Sequence, residues 1–203
     1  MSEKVLNQTE KSSVGEDFLN TKRQNLSGNE FEKGRERSKT GSNRWHNLIA
    51  TNATIAIGSR SHNHKCEIYV NDMSVQLNRN KICFPDVIIV KGDPNFADSN
   101  ADVLLNPTII LEIFSNNVNS FDKMEKIENY LAMNSIRECL LVKEDEMRVE
   151  HYARQNAKQW IYRIYNERDD VISLDSINCK ISLSEIYSQI KFKNEEMSSK
   201  AVN

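Results

Sequence analysis

The sequence predicts an α/β fold with a mixed central β-sheet flanked by helices, on three observations. Residues 83–90 and 108–114 are apolar runs rich in Ile and Val, too short for typical helices and suited to strands buried on both faces. Trp45, Leu48, Ile49, Ala53, Ala56 and Ile57 recur at helical spacing, as do Phe121, Met124, Ile127 and Leu131. Apolar and polar residues alternate in several further stretches, which marks additional strands and separates the chain from a pure βαβ repeat.

The elements follow in order. A weak helical pattern from Val14, Phe18 and Leu19 runs over 14–24 into a turn at 25–28. Residues 32–44 carry five basic and two acidic side chains with no apolar residue, which reads as exposed loop or ragged edge. The helix that begins near Trp45 has Ser42 or Asn43 as N-cap and Gly58 as terminator. Cys66, Ile68 and Val70, then Met73, Val75 and Leu77, alternate around Asn71-Asp72, the pattern of a hairpin. After the two apolar runs come a helix over 120–133 and strands over 137–142, 147–153 and 160–165. A last helix over 183–190 closes the pattern.

With 203 residues, 38% hydrophobic and 28% charged, the chain suits one domain over 14–190 between a disordered tail at 1–13 and a charged tail at 191–203. A formal net charge of −2 excludes coating of nucleic acid by bulk positive charge, so any such contact needs a local patch. No stretch approaches the roughly 18 apolar residues of a membrane span, and the first residues lack an apolar signal core, so a cytoplasmic protein without membrane contact is expected. Cys66, Cys83, Cys139 and Cys179 are scattered in apolar contexts without a CxxC pair, as reduced buried thiols are.

Each of the two apolar strands carries one carboxylate, Asp86 after Pro85 and Glu112 within Ile109-Ile110-Leu111-Glu112-Ile113-Phe114. Burying an ionised carboxylate without a partner costs several kcal/mol or shifts its pKa. A shared divalent cation resolves that cost, and oxygen-only ligation selects Mg²⁺ or Mn²⁺ over zinc. The plainer alternative has Asp86 facing solvent at a strand start and Glu112 meeting an arginine. Downstream, Asp122 lies in a first helical turn, where acids are favourable, and forms an i,i+4 pair with Lys126.

Read together, FPDVIIV, NPTIILEIFS, FDKMEKIENY and IRECLLV resemble the Uma-two restriction-endonuclease family, a branch of the PD-(D/E)XK nuclease-like superfamily. The resemblance runs from about residue 14 to residue 190, with Trp160 and Leu183-Ser184-Glu185-Ile186-Tyr187 as trailing features. It implies a restriction-endonuclease-like core and a metal-dependent endonuclease that hydrolyses nucleic-acid phosphodiesters, DNA first, with Mg²⁺ or Mn²⁺. It implies Asp86 and Glu112 as metal ligands and catalytic residues, with a lysine beside them. Many relatives carry that lysine two residues after the glutamate, where this chain has Phe114. Lys126 from the following helix matches the replacement position, and Lys123 is the reserve.

The resemblance also implies accessory positions. Glu30, or its rival Glu32, maps to an N-terminal glutamate with Gly34 after it, although the following Arg35-Glu36-Arg37-Ser38-Lys39-Thr40 departs from a partly apolar strand. His46 matches a family histidine that either reaches the site rim or packs beside the core. Arg35, Arg37, Lys39 and Arg44 offer a grip on a phosphate backbone, a composition also seen in any solvated loop. The alternating His62, His64 and Cys66 could present metal ligands on one strand face, but structural zinc recruits a second ligand pair and none is visible. Two readings compete with the endonuclease. One is a catalytically inactive nuclease-like domain that binds nucleic acid or a protein. The other is an interaction module in which Asp86 and Glu112 are structural and face opposite sides of the sheet. A homodimer is left open.

Overall fold

The computed structural model describes residues 30–32, 35–37, 43–61, 65–78, 81–97, 99–100, 102–115 and 120–192. The expected tails at 1–13 and beyond 192, the helix over 14–24, Lys39, His62 and His64 lie outside these residues.

The centre is a six-stranded sheet in the order β11-β10-β9-β8-β6-β3. Its strands are β3 (Cys66–Val70), β6 (Val87–Lys91), β8 (Ile109–Phe114), β9 (Glu138–Lys143), β10 (Val149–Asn156) and β11 (Gln159–Tyr165). Within this sheet, among the described residues, only β8 and β9 pair in parallel, and helix α2 (Ser120–Ala132) carries the chain between them, as a parallel pair requires. The two apolar runs lie side by side as β6 and β8, with Val87, Ile88 and Ile89 opposite Leu111, Ile110 and Ile109. All six are fully buried, as strands covered on both faces must be.

Strand alternation splits the core into two layers. Val87, Ile89, Ile109, Leu111 and Ile113 pack on one side against helix α1 (Arg44–Ser61), the hairpin β12 (Val171–Leu174) with β13 (Cys179–Ser182), and the short helix α3 (Leu183–Ile186). Ile88, Val90, Ile110, Cys139 and Leu141 pack on the other against Ile127 and Tyr130 of α2. Val75, Cys83 and Leu104, from the second sheet, join that side. The second sheet runs β2-β1-β5-β4-β7, from β1 (Glu30–Glu32), β2 (Arg35–Arg37), β4 (Ser74–Asn78), β5 (Lys81–Cys83) and β7 (Val103–Leu104).

Several local expectations are corrected. Cys66–Val70 and the 73–77 stretch do not form a hairpin: β3 pairs with β6, whereas β4 pairs with β5 and β7 in the other sheet. Asn71 and Asp72 have positive φ, and the Asn71 amide donates to the Asp86 carbonyl, so the turn passes the chain between sheets. The apolar run 83–90 is two strands, broken at Phe84-Pro85-Asp86, where Pro85 supplies no N–H for a ladder. Residues 35–37 form edge strand β2, the edge alternative of the reading for 32–44. Helix α1 passes Gly58 and ends at Ser61, while its N-terminus agrees with the pattern: the Asn43 side-chain oxygen accepts from the amides of Trp45 and His46 at 2.8 and 3.0 Å. The final helix is one turn only, held by a capping box between Ser182 and Glu185. All four cysteines are free, and three are buried, as expected of reduced thiols. Among the described residues no helix is long and apolar enough to cross a membrane.

Candidate active site

Asp86 lies in the break between β5 and β6, one residue before β6 begins, and is 1% exposed. Its Oδ2 accepts the main-chain amide of Ile113 at 2.8 Å. Ladder amides donate within the plane of a sheet, so this bond holds the Asp86 carboxylate level with the strands and beside the residue that follows Glu112. From α1, His46 Nε2 stands 3.2 Å from the same oxygen, and His46 is itself 8% exposed. The Asn43 cap starts the helix in the turn that carries this imidazole. His46 is thus both buried and against the Asp86 carboxylate.

Glu112 extends the Ile110 face of β8 toward α2 and is 7% exposed. Lys126 Nζ donates to Glu112 Oε2 at 3.0 Å, and the Tyr130 hydroxyl donates to Oε1. Lys126 and Tyr130 stand one helical turn apart on α2, with Ile127 of the same face anchored in the core. The Tyr130 hydroxyl also lies 3.6 Å from Cys83 Sγ in β5. The Glu112 charge is felt in the core below: burial first, and the Glu112 carboxylate second, push the Cys139 thiol well above its usual pKa, with Lys126 opposing.

The second lysine goes elsewhere. Lys123 Nζ sits 4.1 Å above the Phe114 ring and bonds both oxygens of Glu150 at 3.1 and 3.2 Å. Phe114 thus serves as a platform for Lys123, while Lys126 reaches the carboxylate. Asp122 is exposed in the first turn of α2. Arg44 lies over the Trp45 ring at 4.7 Å at the start of α1. Glu30 belongs to β1 and Arg35 and Arg37 to β2, at the edge of the second sheet.

The donor set suits a hard divalent cation. Mg²⁺ commonly takes one or two protein carboxylates and fills its other positions with water and phosphate oxygens. Each carboxylate oxygen has two lone pairs, so an oxygen that accepts a hydrogen bond retains a site for coordination. Among the described residues no three His, Cys, Asp or Glu side chains gather as a metal cage, which sets this pair apart from a closed structural zinc site.

Glu150 is a participant that the motifs do not single out, while Tyr130 enters them only through its spacing from Asp122 and Lys126, with no site role attached. Tyr130 had a usable signal, standing four residues after Lys126 on one helix face. Glu150 had none, because its partner lies far away in sequence.

A mixed six-stranded sheet covered by helices on both faces, with Asp86 just before β6 and Glu112 within the adjacent β8, is a nuclease-like fold. The family model described as "Putative restriction endonuclease" (Uma2) matches residues 16–184, and the chain belongs to that family. It is 28% identical over 146 residues to the uncharacterized protein sll1609 of Synechocystis sp., covering 71% of this chain and 82% of that protein. It is 21% identical over 178 residues to slr1290 of the same organism, also uncharacterized, covering 87% and 92%. The fold matches the crystal structure of "a putative nuclease belonging to DUF820" from Anabaena variabilis, with a TM-score of 0.66 at 17% identity, over 79% of this chain and 89% of that one.

Proposed function

We propose that the protein is an endonuclease that hydrolyses DNA phosphodiester bonds with Mg²⁺ or Mn²⁺, with Asp86 and Glu112 as the residues that hold the ion. The observation that carries the reading is the pairing of Lys126 with Glu112 beside the Ile113 amide that fixes Asp86. When bound, a divalent ion supplies charge stabilisation at the phosphoryl oxygen and lowers the pKa of water. Lys126 orients the attacking water and offers positive charge to the oxygens that gain negative charge, an electrostatic role that a low-dielectric wall strengthens. Tyr130 fixes the Glu112 rotamer through Oε1, leaving Lys126 to exchange partners at Oε2. His46 positions Asp86 from the opposite side.

One observation favours the binding-only alternative: both Glu112 oxygens already have protein donors. Cleavage of supercoiled plasmid separates the two. The endonuclease nicks or linearises it in Mg²⁺ or Mn²⁺ but not in Ca²⁺ or chelator, and Asp86→Ala abolishes the reaction. Activity that survives in chelator or in Asp86→Ala would remove the metal mechanism. Retained DNA binding without any cutting would select the alternative.

A further inference from the structure

At the far end of the central sheet lies a cleft of about 620 Å³ whose wall includes Lys91, Arg137, Arg154, Ser135 and Ser176. Lys91 ends β6 and Arg137 precedes β9, so the cleft opens at the end opposite the carboxylates. An extended strand rises about 3.3 Å per residue, which separates Lys91 from Asp86 by roughly 17 Å. We propose that this cleft is a second site, for a phosphate-bearing ligand of nucleotide size.

Four features point to an anion. Arg137 is exposed, and among the described residues its guanidinium has no hydrogen bond or ion pair, although it stands near a second guanidinium. Arg154 is held rigidly, donating to the carbonyls of Ile136, Leu131 and Met133 and stacking on Trp160 at 4.2 Å. Burial first and the Arg137 charge second pull the Arg154 pKa below its usual value, and a bound anion offsets the second of these. Among the described residues the Ser135 and Ser176 hydroxyls are buried and have no hydrogen-bond partner, so each keeps its donor and acceptor capacity.

The acidic members of the wall are already engaged. Glu138 accepts the Ser176 amide at 2.8 Å on one oxygen and faces His151 Nε2 at 2.8 Å on the other, and Asp175 accepts the Ser173 hydroxyl. Lys91 Nζ donates to the Ser176 carbonyl at 2.7 Å, which pins the turn that bears one of the two hydroxyls. The volume exceeds what a bare phosphate fills and lies within the range of small-molecule sites. Arginine forks match phosphate oxygens in geometry as well as charge.

The test titrates full-length protein at low salt with ATP, with inorganic pyrophosphate, and with one oligonucleotide with and without a 5′-phosphate, read by calorimetry and thermal unfolding. ATP and pyrophosphate are expected to bind saturably and raise the Tm. Arg137→Ala, a change at an exposed unpaired side chain, should weaken binding by about tenfold or more, and Arg137→Glu should remove it. Asp86→Ala should bind like the wild type, which separates this site from the carboxylate site. Arg137-dependent binding of the oligonucleotide only when phosphorylated would identify a strand end as the source, and binding of ATP alone would identify a free nucleotide. Equal ATP affinity in Arg137→Glu and wild type, or no saturable binding of any phosphorylated probe at millimolar concentration, would overturn the proposal.

Discussion

Lys126 and Lys123 stand one turn apart on α2, yet their surroundings assign them different tasks: the first bonds Glu112, and the second bonds Glu150 above Phe114. Lys126→Ala is therefore expected to lower the cleavage rate by orders of magnitude, whereas Lys123→Ala lowers it far less and Asp122→Ala leaves it near wild type. Cleavage rates and thermal unfolding on all three variants check this. If Lys126 were only half of a surface pair, worth about 0.3–0.5 kcal/mol, Lys126→Ala and Asp122→Ala would behave alike. Tyr130→Phe removes a hydroxyl donor from a buried carboxylate. Hydrogen bonds to charged groups contribute about 1.5–3 kcal/mol, and urea unfolding should show a loss of that order. The sequence exposed Asp86 and Glu112 because a carboxylate inside an apolar run is conspicuous. The sequence leaves His46 between the site rim and the core, since both placements share one helix-face pattern.

Elements were legible where periodicity acted alone and obscure where long-range pairing decided. Helix α1, helix α2 and strands β8 to β11 lie close to their expected positions because each carries its own apolar pattern. The reading of β3 and β4 as a hairpin fails because β3 pairs with β6, well along the chain, whereas β4 pairs with β5, which follows it after only two residues. The hairpin β12–β13 went unread although Ile172, Leu174, Cys179 and Ile181 alternate. Its connection is a 3₁₀ turn over Asp175–Ile177 ending at Asn178 in the left-handed region, without the Asn-Gly signature of a two-residue turn. At the start of α1, Asn43→Ala deletes the oxygen that caps two amides and the contact to Glu144. A cost of about 1 kcal/mol in chemical unfolding is expected, with no change in secondary structure by circular dichroism.

Across the whole molecule, the site stands where both layers end on the same two strands. Helix α1 contributes His46 from one side and α2 contributes Lys126 and Tyr130 from the other, while the break before β6 carries Asp86 and β8 carries Glu112. Arg60 of α1 pairs with Glu185 of α3, and Asn52 donates to the Ile186 and Ser188 carbonyls, so α1 is fixed along its length. Leu111, fully buried beneath α1, neighbours Glu112 in the chain. Leu111→Ala is expected to cost about 2–5 kcal/mol in urea unfolding, in the range for buried leucines. A cost below 1 kcal/mol would show that this layer is not tightly packed.

The central claim, that Asp86, Glu112 and Lys126 form one metal-dependent centre, is tested most directly by plasmid cleavage with wild type, Asp86→Ala, Glu112→Ala and Lys126→Ala across a Mg²⁺ titration. Each variant is checked for folding by thermal unfolding. The account predicts Mg²⁺-dependent cutting by the wild type and none by the folded variants at any Mg²⁺ concentration. Cutting by folded Asp86→Ala or Lys126→Ala at the wild-type rate would contradict it.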